Sequence, residues 1–161
     1  MKKVSEELRY DGATLQQVFE MLGDTAFREE VCDYQGVVRH RVQVRAAGSG
    51  MSVEIDQHHA ARHVPAFAKK FVGEEINIVQ TEDWTAPQKG TIHVTIPGKP
   101  GEMTGTALLT EDPDGTTETV NLTVKVNIPI VGGKIEGFIA DMLSKALRAE
   151  HHVGVTWLAR T

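Results

Sequence analysis

The fold class this sequence predicts is α+β, with a curved antiparallel sheet of about seven strands wrapped around one long C-terminal helix. Three observations carry the prediction. From Ile135 onward, Ile135, Phe138, Ile139, Met142, Leu143, Ala146 and Leu147 recur at steps of three and four, which is one face of an α-helix. Most of the chain before it alternates with a period of two between reverse-turn signals. Helical patterns flank this run of strands instead of alternating with them, which favours antiparallel pairing over βαβ crossovers.

Taken in order, Val4, Glu6, Leu8 and Tyr10 alternate with polar neighbours and form a first strand, ended by Asp11-Gly12. Thr14 and Gln17 have the spacing of a capping box, so a helix starts there, with Leu15, Val18, Phe19 and Leu22 as its apolar face. Gly23 ends it, and Asp24 caps a second short helix that carries Ala26, Phe27, Val31 and Cys32. Val38, His40, Val42 and Val44 then share the inner face of a strand whose outer face holds Arg39, Arg41, Gln43 and Arg45. A turn through Gly48-Ser49-Gly50 leads to a partner strand with Met51, Val53, Ile55 and Gln57 inward. Pro65 and Gly73 bracket a short inserted helix with Phe67 and Phe71 on one side.

Four more strands follow. Ile76, Ile78, Gln80, Glu82 and Trp84 share one face of the first, and Ile92, Val94 and Ile96 one face of the second, which leaves His93 outward. The third runs from Met103 to Glu111, where Gly105 and Ala107 are small enough to leave interior space. Asp112-Pro113-Asp114-Gly115 makes a tight turn into the fourth, with Val120, Leu122, Val124, Val126 and Ile128 inward. A closing helix from Lys134 to Ala159 would extend roughly 39 Å at 1.5 Å per residue, its last turns weakened by Gly154, Val155 and Thr156.

At 161 residues, 40% hydrophobic and 24% charged, the chain has the profile of a single domain over 1–161. A formal charge of -5 argues against a broad cationic face for nucleic acid. No apolar run is long enough to span a bilayer and no signal core follows Met1, so a cytoplasmic protein is expected. Cys32 lies on an apolar helical face and reads as a small buried hydrophobe. His58, His59 and His63 lack the glutamate of a zinc-protease helix and read as solvated, so neither a metal nor another cofactor is expected.

The run from Val124 to Glu136, with Val64-Pro65-Ala66-Phe67 and Gln80-Thr81-Glu82-Asp83-Trp84, is similar to an actinobacterial family of unknown function. Across nearly its whole length the chain resembles the helix-grip fold of the START-like superfamily, which includes the birch-pollen-allergen type, lipid-transfer domains and polyketide cyclases. That resemblance implies a pocket between sheet and helix, used by some members for apolar ligands and by others for catalysis.

The expected ligand is an apolar or amphipathic small molecule, lipid-like or polyketide-like, bound without chemistry. Its wall is drawn from Val42, Val53, Ile55, Phe67, Phe71, Ile78, Val94, Leu122, Val124, Ile139, Met142 and Leu143, with Trp84 as an aromatic side. The same residues also suit a solidly packed core. His40, Gln80 and Glu82 sit on inward registers, where an unpaired polar group is costly; they either pair with one another, with backbone or with water at the sheet rim, or orient the polar end of a ligand. One alternative is a cyclase, dehydratase or hydrolase with His40 and Glu82 as acid and base. Another is an interaction module that docks a partner through an exposed Trp157.

Overall fold

The computed structural model of the protein describes residues 1–62 and 64–161. Its elements run β1 (Lys2–Asp11), α1 (Leu15–Leu22), α2 (Thr25–Gln35), β2 (Arg39–Ala47), β3 (Gly50–Ala60), α3 (Ala66–Val72), β4 (Glu75–Ala86), β5 (Lys89–Thr95), β6 (Glu102–Asp112), β7 (Gly115–Lys125) and α4 (Gly132–Arg160). The strands form one antiparallel sheet in the order β1-β7-β6-β5-β4-β3-β2. β1 and β2, neighbours in sequence, thus lie at opposite edges, joined by α1 and α2. Among the described residues, no helix is long and apolar enough to cross a membrane.

Local chemistry sets the helix boundaries. Gln17 N donates to Thr14 Oγ1 at 3.1 Å and Thr14 N to Gln17 Oε1 at 2.8 Å, which completes the predicted capping box. Asp24 caps α2 through the Ala26 amide at 2.9 Å. Its inner face differs from the expected one: Ala26 is exposed, and Arg28 is buried beside Phe27, Val31 and Cys32.

α4 buries Ile135, Ile139, Leu143, Leu147 and Val153 against the inner sheet face, which is built from alternate strand residues such as Val4, Leu8, Val53, Val94, Val120 and Val124. Its two ends are fixed separately. Val126 N donates to Glu136 Oε2 at 2.9 Å near the start, and His151 Nε2 donates to Arg9 O at 2.7 Å near the end. The helix does not fray at Gly154. A Cβ there would lie 2.8 Å from Tyr10 Cε1, so glycine lets α4 close onto β1.

Two expectations about interior space fail. Ala107 is fully buried in the core, and a Cβ on Gly105 would fall 1.8 Å from Asn121 O, so backbone occupies the space that was expected to be open. At the start of β2, Val38 is 51% exposed and not inward as expected, although its amide donates to His58 O at 2.7 Å.

A cavity that ends on a buried charge cluster

α4 does not seal the sheet along its whole length. Beneath its middle turns lies a chamber of about 280 Å³, walled by Val64, Ile76, Ile78, Phe138, Met142 and Leu143. Behind it an inner pocket of about 50 Å³ is lined by Ile55, Ile92, Val94, Leu122, Leu147 and Cys32. Gln35, Gln57, Gln80, Leu143 and Ala146 border both spaces, so the two meet at a neck of three amides. Phe138 and Met142 are only half-buried because they front the chamber, whereas Leu143 and Leu147, on the sheet side, are buried.

Arg28 and Glu150 border the inner pocket, and Glu82 stands behind Arg28. Arg28 Nη2 and Nη1 donate to the two Glu82 oxygens at 2.9 and 3.2 Å, and Nε donates to Leu22 O at 2.7 Å. Trp84 Nε1 donates to Glu82 Oε1 at 3.0 Å, and Gln80 Nε2 donates to Oε2. Glu82 is therefore a fully partnered carboxylate. Glu150 lies 4.0 Å from Arg28 Nη1, and no N–H or O–H among the described residues donates to its Oε1.

Four ionisable groups, Arg28, Glu82, Glu118 and Glu150, each more than nine-tenths buried, meet here. Burial works against the Arg28 charge, but Glu82, Glu150 and Glu118 outweigh it and hold its pKa above the ordinary value. Glu118 is pushed well above the carboxylate range by burial and by Glu150. Burial also raises Glu150, to about 7, against the pull of Arg28. Glu118 and Glu150 are neighbours in this buried cluster, which disfavours charge on both at once.

The family described as "Protein of unknown function (DUF2505)" matches residues 5–158. The chain belongs to it.

DUF2505 membership agrees with the sequence relatives. An uncharacterized protein of Mycobacterium tuberculosis (Rv0481c) is 26% identical over 104 residues, covering 61% of this chain and 60% of its own. The chain thus spans about 60% of the length of the curated relatives it matches. A START superfamily protein from Mycobacterium smegmatis superposes with a TM-score of 0.58 at 14% identity, over 94% of this chain and 97% of that one. The Zhui aromatase/cyclase from Streptomyces sp. R1128 gives 0.58 at 14% identity over 98% and 90%. At these identities the likeness is one of fold, the helix-grip fold of the START-like superfamily.

Within this DUF2505 chain, the structure places the predicted site residues in three settings. Ile55, Ile78, Gln80, Val94, Leu122, Met142 and Leu143 line the cavity. Val53, Val124, Ile139 and Trp84 are buried in the core and line neither space, and Val42 packs half-buried against that core. Trp84 is not the expected aromatic wall, since its indole lies over Gly90 and beneath Phe19. Phe67 and Phe71 border a separate open groove of about 750 Å³ with Lys70, Lys99 and Val131.

His40 and Glu82 do not meet. His40 is opposite Gln57 and Glu82 opposite Val53, four residues along and two strands across, or about 16 Å at the backbone. His40 Nε2 contacts Asp33 Oδ1 at 3.2 Å instead. His59 fronts the chamber with Nε2 2.9 Å from Gln57 Oε1, and burial, with His58 nearby, lowers its pKa. His63, part of the histidine cluster read as solvated, lies outside the described residues. Among those residues no group of three His, Cys, Asp or Glu side chains is placed to hold a metal. Trp157 is half-buried, edge-on to Phe27 at 5.6 Å and covered by Arg160 at 5.3 Å, so it is not the exposed docking residue expected.

Sequence reasoning missed Arg28, Glu118 and Glu150. Two carried a signal: Glu118 has the parity of Val120 and Leu122 on β7, and Glu150 continues the stripe of Leu143 and Leu147 on α4. Arg28 carried none.

Proposed function

We propose that this protein binds an apolar or amphipathic small molecule between the sheet and α4 without reacting with it. The observation that carries the reading is the apolar chamber of about 280 Å³ running through an amide neck into a second, polar-ended pocket. A molecule seated there would exchange water for the side chains of Ile78, Phe138 and Met142, worth roughly 25 cal/mol for each Å² of apolar surface covered. Two proteins of similar fold, a START superfamily protein and an aromatase/cyclase, support a sheet-and-helix cavity used for organic ligands. We place the carrier in the cytoplasm, where a lone buried thiol such as Cys32 stays reduced.

A second reading, an enzyme that moves protons, has one observation in its favour: Glu150 borders the pocket in a cluster with a second buried carboxyl, Glu118. It would put the acid on Glu150 and not on His40 or Glu82.

Native mass spectrometry of protein purified from its own host, followed by extraction of any retained compound, tests the carrier reading directly. Ala146→Trp supplies the structural control, because Ala146 borders both spaces and an indole there would block the neck. Binding should weaken at least tenfold in this variant while its thermal midpoint stays within a few degrees of the parent. Equal binding by parent and variant, or release of a chemically altered product, would remove the carrier reading.

A further inference from the structure

The unused hydrogen-bonding capacity of the inner pocket selects a particular kind of ligand end. Arg28, the cation at its wall, gives three of its five N–H groups to Leu22 O and Glu82, and its charge is already matched by the Glu82 carboxylate. Gln80 gives one of its two amide N–H groups to Glu82 as well. Glu150 is the group at this wall left short of donors. A carboxylate offers about four lone-pair positions, yet no N–H or O–H among the described residues donates to Glu150 Oε1, and Arg28 Nη1 stands 4.0 Å away. Leaving such a group buried and short of donors is costly, so a donor arriving with the ligand is favoured beyond the burial of its apolar part.

The charge balance points the same way. Arg28 is already matched by Glu82 and also faces Glu150, so no cation is left over to balance an anionic end group. At the neck, Gln35 and Gln57 border both spaces and present amides to the lone pairs of a group seated between them. An uncharged hydroxyl both donates and accepts, and it is small enough for a space of about 50 Å³.

We infer that the ligand is an alcohol or phenol whose apolar body fills the outer chamber and whose hydroxyl passes the neck and donates to Glu150. Fatty acids and other carboxylates of the same shape are disfavoured. The inference rests on the carrier reading and goes beyond it by naming the class of ligand.

Three bicyclic probes of near-identical shape test it by titration calorimetry on the intact protein: 2-naphthol, 2-methylnaphthalene and 2-naphthoate. The expected order is 2-naphthol tightest, by about tenfold over 2-methylnaphthalene, with 2-naphthoate weakest. Equal affinity for the first two overturns the hydroxyl inference and leaves the carrier reading standing; no binding by any of the three removes both. Tightest binding by 2-naphthoate also overturns the inference, because the spare N–H groups of Arg28 and the neck amides, and not Glu150, would then select the ligand.

Glu150→Leu should abolish the preference for 2-naphthol over 2-methylnaphthalene, and its survival in that variant counts against Glu150 as the acceptor. Should Glu150→Leu lose its fold by circular dichroism, Glu150→Gln serves in its place. It retains a carbonyl acceptor and removes the charge, so 2-naphthoate should bind several-fold more tightly than to the parent. An unchanged affinity for 2-naphthoate in Glu150→Gln overturns the charge argument.

Discussion

Replacing Arg28 by methionine is the sharpest test of how the charge cluster is held. The substitution keeps an unbranched side chain in the core but leaves Glu82 and Glu150 without their common cation. It also removes the donor to Leu22 O at the end of α1. Stripping one partner from a buried ion pair costs about 3–5 kcal/mol, much more than losing an exposed pair. For a chain of 161 residues, a typical unfolding entropy turns that cost into a fall in thermal midpoint of roughly 9–15 °C.

Acid should reduce the loss. Without Arg28, the pull that lowers the Glu150 pKa disappears, folding takes up a proton more readily, and the variant gains stability relative to the parent between pH 8 and pH 5. Differential scanning calorimetry of both proteins across this range measures midpoint and pH dependence together. A fall of less than about 3 °C, or a gap between parent and variant that does not change with pH, would refute the argument that Arg28 neutralises buried carboxylates.

Two further outcomes follow from the geometry. In the parent, burial raises the Glu150 pKa from the ordinary carboxylate range to about 7, so its contribution is fully present below the unfolded value and is lost as pH rises through about 7. The raised Glu118 acts in the same direction, so urea midpoints should decline from pH 5 to pH 8, and Glu150→Gln should flatten that decline. Gly154→Val should cost about 1–3 kcal/mol, since even a Cβ would press within 2.8 Å of the buried Tyr10 ring. Equilibrium urea unfolding checks it, and unchanged stability would mean that α4 can move away from β1.

Most of the architecture was legible because the signals were local. The Thr14–Gln17 box, the Pro65 and Gly73 limits of α3, the alternation of β3 and the stripe of α4 each lie within a few residues of chain, and each matches the fold. The cavity was legible only as apolar walls. Which side of α3 faces inward depends on tertiary packing, and Phe67 and Phe71 border an outer groove instead of the chamber. Arg28 was invisible because a charged residue between Phe27 and Glu29 reads as solvent-facing, while its partner Glu82 lies 54 positions away. Glu118 and Glu150 could have been found by extending the inward parity of β7 and the apolar face of α4 by one step each.

The order of the sheet also bears on how the chain is made. β1 pairs with β7, with Val4 opposite Leu122, so the first strand of this sheet to be synthesised waits for the last before it has a neighbour. During synthesis its amides and carbonyls stay open to any passing extended segment, and closure of this widely separated pair should be the slow step. Polar side chains at Lys3, Ser5 and Glu7, alternating along the waiting strand, are the safeguard against mispairing in that interval.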